Sequence, residues 1–229
     1  MIEIRNLTKQ YGRVTALDDV SVDIGNNKIV GLLGENGCGK TTLMRILAGL
    51  NQPSSGNVLV AGHVPGPKTK SLVSYLPDTP TLPGRARIES LIRYFADFYA
   101  DFNVETCQSL LAQFGILVRD RLQEMSKGQR EKVHVALTMS REAQVYLLDE
   151  PISGVDPAAR DATLNTIITA MRPDALMIIT THLISDIEFV LDDAIFMRHG
   201  KLLNHDVVDE LRAGHQRSLN DYFKEVYTS

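Results

Sequence analysis

The first 24 residues alternate apolar and polar side chains, with Ile2 and Ile4 and then Val20, Val22 and Ile24 in phase, the pattern of half-buried antiparallel strands. The texture then changes to a continuous apolar run, Ile29-Val30-Gly31-Leu32-Leu33, which suits a strand covered on both faces. A Gly-rich turn follows and leads into a stretch of helical spacing from Thr42 to Leu50. Two more buried strands are expected at Val145-Tyr146-Leu147-Leu148 and from Ala175 to Thr180, separated by Leu164, Ile167, Ile168 and Met171 at helical spacing. Strand, helix and strand in repetition imply a parallel sheet, so an α/β fold is expected.

Between residues 79 and 125 the pattern differs. Pro80, Pro83 and Gly84 precede Ile88, Leu91, Ile92, Phe95, Tyr99 and Phe102, whose helical spacing predicts a helical lobe set into the α/β core. Near the end, Ala194 to Met197 and Lys201 to Asn204 flank His199-Gly200 as a hairpin, and a polar helical tail follows. The chain has no internal repeat, so each motif is present once.

Composition narrows the setting. The 229 residues carry 24 Lys and Arg against 28 Asp and Glu, and this slight acidity argues against a nucleic-acid partner, which favours a basic surface. The longest apolar run, Ile29 to Gly34, falls far short of the roughly 20 residues of a spanning helix. Met1-Ile2-Glu3-Ile4-Arg5 lacks the basic-then-apolar pattern of a secretory signal, so a cytosolic compartment is expected. Cys38 and Cys107 have no metal-ligand spacing and read as free thiols. The length suits one large domain or one core with an inserted lobe.

The chemistry concentrates in Gly34-Glu35-Asn36-Gly37-Cys38-Gly39-Lys40-Thr41-Thr42, which fits G-x-x-x-x-G-K-[ST] between a buried strand and a helix. Glycines let the backbone curl so that its N–H groups face phosphate oxygens, and the helix N-terminus adds partial positive charge. Lys40 bridges the outer phosphates and the Thr41 hydroxyl reaches Mg²⁺. A phosphate cradle also needs a metal carboxylate, and Asp149-Glu150 at the end of the apolar strand supplies two acids. Neighbouring strand positions point to opposite faces, so both acids reach one site only if the chain turns at Glu150, which Pro151 favours.

Met125-Ser126-Lys127-Gly128-Gln129 resembles the Leu-Ser-Gly-Gly-Gln signature of ABC-type ATPases. Ser153-Gly154-Val155-Asp156 is similar to that family's D-loop, Thr180-Thr181-His182 to its switch histidine, and Tyr11-Gly12 to its adenine-stacking aromatic. Order and spacing agree from residue 1 to about residue 215. The resemblance implies a phosphate-loop NTPase core with a mainly parallel sheet, an N-terminal antiparallel β subdomain and an inserted helical lobe at approximately 79–140, within a single cassette spanning 1–229 with a helical tail at approximately 205–229. It implies ATP and Mg²⁺ as cofactors. The roles it implies are adenine stacking by Tyr11, phosphate binding by Gly34 and Asn36 to Thr42, Mg²⁺ binding by Thr41 and Asp149, a general base in Glu150, and a bond from His182 to the γ-phosphate. It also assigns Ser126, Gly128, Gln129 and Asp156 to the nucleotide interface, the signature clamping the γ-phosphate held by a second cassette. Ser126 is expected to cap a helix while the N–H groups of Gly128 and Gln129 stay free for that anion. A dimer follows, as a homodimer or a heterodimer, attached through membrane permease subunits to the inner face of the cell membrane.

Some positions depart from the family pattern. Asp78 stands where a Gln is usual on the loop entering the lobe; a carboxylate there can bind Mg²⁺ and take part in catalysis, or it is a solvated turn residue beside Pro77. An acid at this point and the tail Arg217-Ser218-Leu219-Asn220-Asp221-Tyr222-Phe223 resemble an exporter subgroup, including drug and peptide-antibiotic pumps with separate permease chains. Lys127 replaces a signature glycine and is expected to face solvent. Cys38 either fills a small space or is a thiol of lowered pKa at a helix N-terminus. Phe95, Phe98, Tyr99 and Phe102 are core residues, or in part a groove for a permease helix; His63, His199, His205 and His215 read as surface or turn residues. A soluble ABC ATPase of DNA repair or translation is the competing function, but Lys40 and Ser126 leave room only for a modest lobe between them.

Overall fold

The computed structural model describes residues 1–79, 82–215 and 218–228, so Pro80 and Arg217 lie outside the described residues. Strands β1 (Ile2–Tyr11) and β2 (Val14–Ile24) pair antiparallel as their alternation predicts, and β1 also pairs with a later strand of the chain. The buried run forms β3 (Lys28–Gly34), followed by α1 (Lys40–Leu47). That later strand is β4 (Ser55–Val60), completing a three-stranded antiparallel sheet in the order β2-β1-β4. After α2 (Pro67–Lys70) and β5 (Val73–Leu76) come the lobe helices α3 (Ile88–Phe98), α4 (Val104–Gln113) and α5 (Lys127–Met139). The core resumes with β6 (Val145–Asp149), α6 (Pro157–Ala170), β7 (Leu176–Thr180), α7 (Ile184–Ile187), β8 (Asp193–Arg198) and β9 (Lys201–Val207), and α8 (Val208–His215) and α9 (Leu219–Thr228) end the chain.

The second sheet has the order β5-β6-β7-β3-β8-β9, parallel throughout except for β9, which returns from β8 through the expected hairpin at His199-Gly200. Strands β6 and β7 are buried along their whole length, as unbroken apolar runs between two layers must be. One apolar core joins this sheet to the lobe and the C-terminal helices. The other packs α1 between the two sheets, with Leu43, Met44 and Leu47 against Ile2, Ile4 and Leu32. The strand-to-helix turn after β3 therefore lies on a rigid base. Among the described residues no helix is long and apolar enough to cross a membrane.

Two predicted helices end early. The helix expected through Leu50 closes at Leu47, where Gly49 takes a left-handed φ of +68° and the N–H groups of Leu50 and Asn51 return to Arg45 O. The aromatic helix stops at Phe98, with Tyr99 extended, because Arg141 takes the Tyr99 ring at 3.9 Å and Phe102 forms a strand-like bridge with Arg141. Asn103 then starts α4, its Oδ1 accepting the Thr106 N–H at 2.9 Å.

Candidate functional site

The loop from Gly34 to Gly39 is held by close packing. Gly39 has φ +112°, and a Cβ there would lie 2.5 Å from Ala16 O, so the turn into α1 accepts only glycine. Lys40 is buried, and its Nζ donates to Gly34 O (2.6 Å) and Glu35 O (3.0 Å), curling the loop around the ammonium. A cavity of about 500 Å³ opens over it, lined by Asn36, Gly37, Gly39, Lys40, Thr41 and Thr42 together with Asp78, Asp149, Glu150, Ser153 and His182. The predicted phosphate loop, acid pair, switch histidine and variant Asp78 thus share one space.

Asp149 ends β6 beside Thr180 of β7, whose Oγ1 donates to Asp149 Oδ1 at 2.5 Å. The other carboxylate oxygen, Oδ2, is buried with no hydrogen-bond partner among the described residues. Unpaired acceptor charge at such depth is costly and suits a cation. Glu150 turns as its position before Pro151 predicted: its φ is +55°, and its N–H donates to Thr180 O (3.1 Å) and Oγ1 (3.2 Å). Burial raises the Glu150 pKa above the ordinary carboxylate value, and His182, whose Nδ1 lies 2.9 Å from Oε2, opposes that rise. The His182 ring therefore engages Glu150, a contact that the expected γ-phosphate bond did not include.

Other expected residues lie outside this cavity. Tyr11 is 47% exposed, its hydroxyl accepting from Asn51 Nδ2 (2.7 Å) and its ring covered on one face by Lys9 Nζ at 4.9 Å. Asp156 is exposed at the start of α6. Ser126 caps α5 as predicted, but the N–H of Gln129 is not free: it donates to Ser126 Oγ (3.2 Å), while Gln129 Oε1 accepts the Ser126 N–H (2.9 Å). This reciprocal capping box corrects the expectation of an open donor there, since a Ser and a Gln three residues apart satisfy each other. Lys127 faces solvent as expected, 3.7 Å from Glu131. The Cys38 side chain, 5% exposed, packs behind the loop instead of lining the cavity, and burial raises its thiol pKa. The lowered-pKa reading of Cys38 is thereby reversed: desolvation outweighs the nearby ammonium at 3.9 Å.

Two further residues of α5 belong to this region: Glu131, three positions after Gly128, and His134, three positions after Glu131. Glu131 reaches the D-loop segment, its Oε2 accepting the Gly154 N–H at 2.9 Å. His134 is 7% exposed with Nε2 unpartnered among the described residues, and burial lowers its pKa to about 4, so the ring is neutral near pH 7. It borders a groove of about 380 Å³ where Phe95, Phe98 and Tyr99 meet Leu50 and Tyr75. Phe98 is 67% exposed, so part of the aromatic set serves as groove wall and not as core.

A phosphate loop after β3 that shares one cavity with an acid pair at the end of β6, one strand removed in the same parallel sheet, defines a nucleoside-triphosphate-binding protein of the phosphate-loop class. The sequence model of the ABC transporter family matches residues 17–153, more than half of the chain, and the chain belongs to that family. The ABC transporter ATP-binding protein YtrB of Bacillus subtilis (strain 168) is 30% identical over 218 residues, covering 93% of this chain and 74% of that protein. The probable multidrug ABC transporter ATP-binding protein YbhF of Escherichia coli (strain K12) is 29% identical over 229 residues, 96% of this chain and 39% of that protein. A solved ATP-binding subunit of an ABC transporter matches with a TM-score of 0.89 at 26% identity, over 99% of each chain. The fold is the α/β core of an ABC cassette, and the chain is an ATP-binding subunit of a transporter.

Proposed function

We propose that residues 1–229 form a single cassette that hydrolyses ATP, with the helical lobe at about 79–140 and the tail at about 205–229. The cassette pairs head to tail with a second one and drives separate permease chains, working on the cytoplasmic face of the membrane. The observation that carries this reading is the division of the motifs. Lys40, Thr41, Asp149, Glu150 and His182 line one cavity, while Ser126 to Gln129 stand outside it at the start of α5. Asn36 to Thr42 bind the phosphates, Tyr11 stacks on the adenine, and Ser126, Gly128, Gln129 and Asp156 belong to the composite interface.

The donor set suits Mg²⁺: Thr41 Oγ1 and the unpartnered Asp149 Oδ2 would hold it, with Asp78 lining the same cavity. Bound there, the ion would neutralise phosphate charge. Glu150 takes the proton of the attacking water, and His182 Nδ1 orients that carboxylate. Asp78, the tail helix and the likeness to a multidrug-type relative support export. The aromatic groove at Phe95, Phe98 and Tyr99 supports docking of a permease segment.

In sedimentation, Glu150→Gln saturated with ATP is expected to run as a dimer and without nucleotide as a monomer; a monomer in both conditions overturns the composite site. A base must be ionised to act, and burial raises the Glu150 pKa, so turnover is expected to fall with decreasing pH already above the ordinary carboxylate range. His182 opposes that rise, so His182→Ala moves the acid limb further alkaline. A pH–rate profile with its acid limb at an unperturbed carboxylate value excludes Glu150 as the base.

A further inference from the structure

The last helix of the chain meets the phosphate loop. Ser218 opens α9, its Oγ accepting the Asp221 N–H at 3.1 Å. Leu219, Tyr222, Phe223 and Tyr227, spaced three and four residues apart, turn one face onto the larger core. At the end of that face Tyr227 stacks on Phe223, with ring centroids 4.2 Å apart, and its hydroxyl donates to the Met197 carbonyl. Met197 on β8 is the register partner of Gly34, where β3 gives way to the phosphate loop.

Gly34 is enclosed from behind. A Cβ placed on it would lie 2.5 Å from Met197 O, 2.5 Å from Cys38 Sγ and 3.3 Å from the Tyr227 hydroxyl. On its other side its carbonyl accepts Lys40 Nζ at 2.6 Å. The residue that anchors the phosphate-binding lysine is thus packed against the final turn of α9. The Cys38 carbonyl accepts the Gly200 N–H at 3.0 Å, so the hairpin and α9 support the loop together.

We infer that Tyr227 is a positioning residue for ATP binding: its hydroxyl and ring hold Met197, Gly34 and Cys38 in the arrangement that keeps the phosphate loop curled before nucleotide arrives. Such preorganisation shows up as affinity, because the loop's ordering cost is met before binding. Tyr222 supplies the comparison within the same helix. It too is a partly buried tyrosine, but its hydroxyl accepts from Asn204 Nδ2 (3.1 Å) and its ring meets Phe196 at 5.3 Å.

The test uses the full chain carrying Glu150→Gln, titrated with N-methylanthraniloyl-ATP, and in parallel the rate at which a thiol reagent modifies Cys38 without nucleotide. The inference rests on nucleotide binding by this loop, whereas the Cys38 rate does not need it. Adding Tyr227→Phe, which keeps the ring and removes one hydrogen bond, is expected to weaken binding about fivefold and to speed Cys38 modification by about as much. Cys107, buried in the lobe, serves as the internal control and keeps its rate. Tyr222→Phe is expected to change neither readout. The inference is overturned if affinity and Cys38 rate both stay unchanged in Tyr227→Phe, or if Tyr222→Phe reproduces the changes, since the helix would then act only as packing. A parent protein that binds no ATP would defeat the reading of the loop, and the Cys38 rate alone would then decide whether Tyr227 braces it.

Discussion

Replacing Glu150 with glutamine is expected to slow ATP turnover by about 10²–10⁴ while leaving ATP binding in place, the effect of removing a general base. The substitution preserves shape: Glu150 Oε2 lies 2.9 Å from His182 Nδ1, an amide oxygen at that position is expected to keep the contact, and the backbone turn at φ +55° needs no change. What disappears is an acceptor basic enough to take a proton from water. In the proposed site, binding rests on other groups, namely Lys40, the loop N–H donors and the hydroxyl of Thr41. The contrast with Lys40→Ala makes the assignment specific, since that variant is expected to lose binding and turnover together. Steady-state rates and equilibrium ATP titrations on the same preparations check both. Turnover near the parent rate in Glu150→Gln would remove Glu150 from the role.

The parts of the site that were legible in the sequence are those fixed by local chemistry. The buried run before Gly34, the lysine after Gly39 and the need for a turn at Glu150 ahead of Pro151 all depend on a few consecutive residues. The structure has each of them. The parts that were not legible depend on residues distant in the chain. Cys38 lies beside a helix N-terminus, an argument for a low pKa, but α9 and the β8–β9 hairpin bury it and reverse the sign. An anion-clamping signature predicts an open N–H at Gln129, whereas the short Ser-to-Gln spacing closes a capping box. The pairing of β4 with β1 leaves no local trace either, since Ser55–Val60 shows only weak alternation and its partner comes from the opposite side of the phosphate-loop helix. The aromatic periodicity outran α3 for a related reason, which leads to Arg141.

Arg141→Ala is expected to destabilise the fold by about 3–5 kcal/mol, the range for breaking a buried ion pair by removing one partner. Arg141 is 4% exposed, and its guanidinium joins three pieces of chain. It donates to Val73 O (2.7 Å), Ser71 O (3.1 Å) and Lys70 O (3.2 Å) at the entry to β5, and to Asp101 Oδ2 at 2.9 Å beyond α3. Its plane covers the Tyr99 ring at 3.9 Å, which draws Tyr99 out of helical geometry. Alanine would leave those carbonyls and the Asp101 carboxylate short of donors at the junction between lobe and core. At roughly 2–4 °C per kcal/mol for a chain of this size, the midpoint of thermal unfolding is expected to drop by about 6–20 °C. Arg141→Lys keeps the charge but has no planar fork to serve Asp101 and the carbonyls at once, so it is expected to recover only part of the loss. Because Arg141 also borders the aromatic groove, loosening it frees the wall formed by Tyr99 and Phe98 from the strand that leads to Asp78. A midpoint shift below about 2 °C in Arg141→Ala would show that lobe and core are held together by their apolar contacts alone.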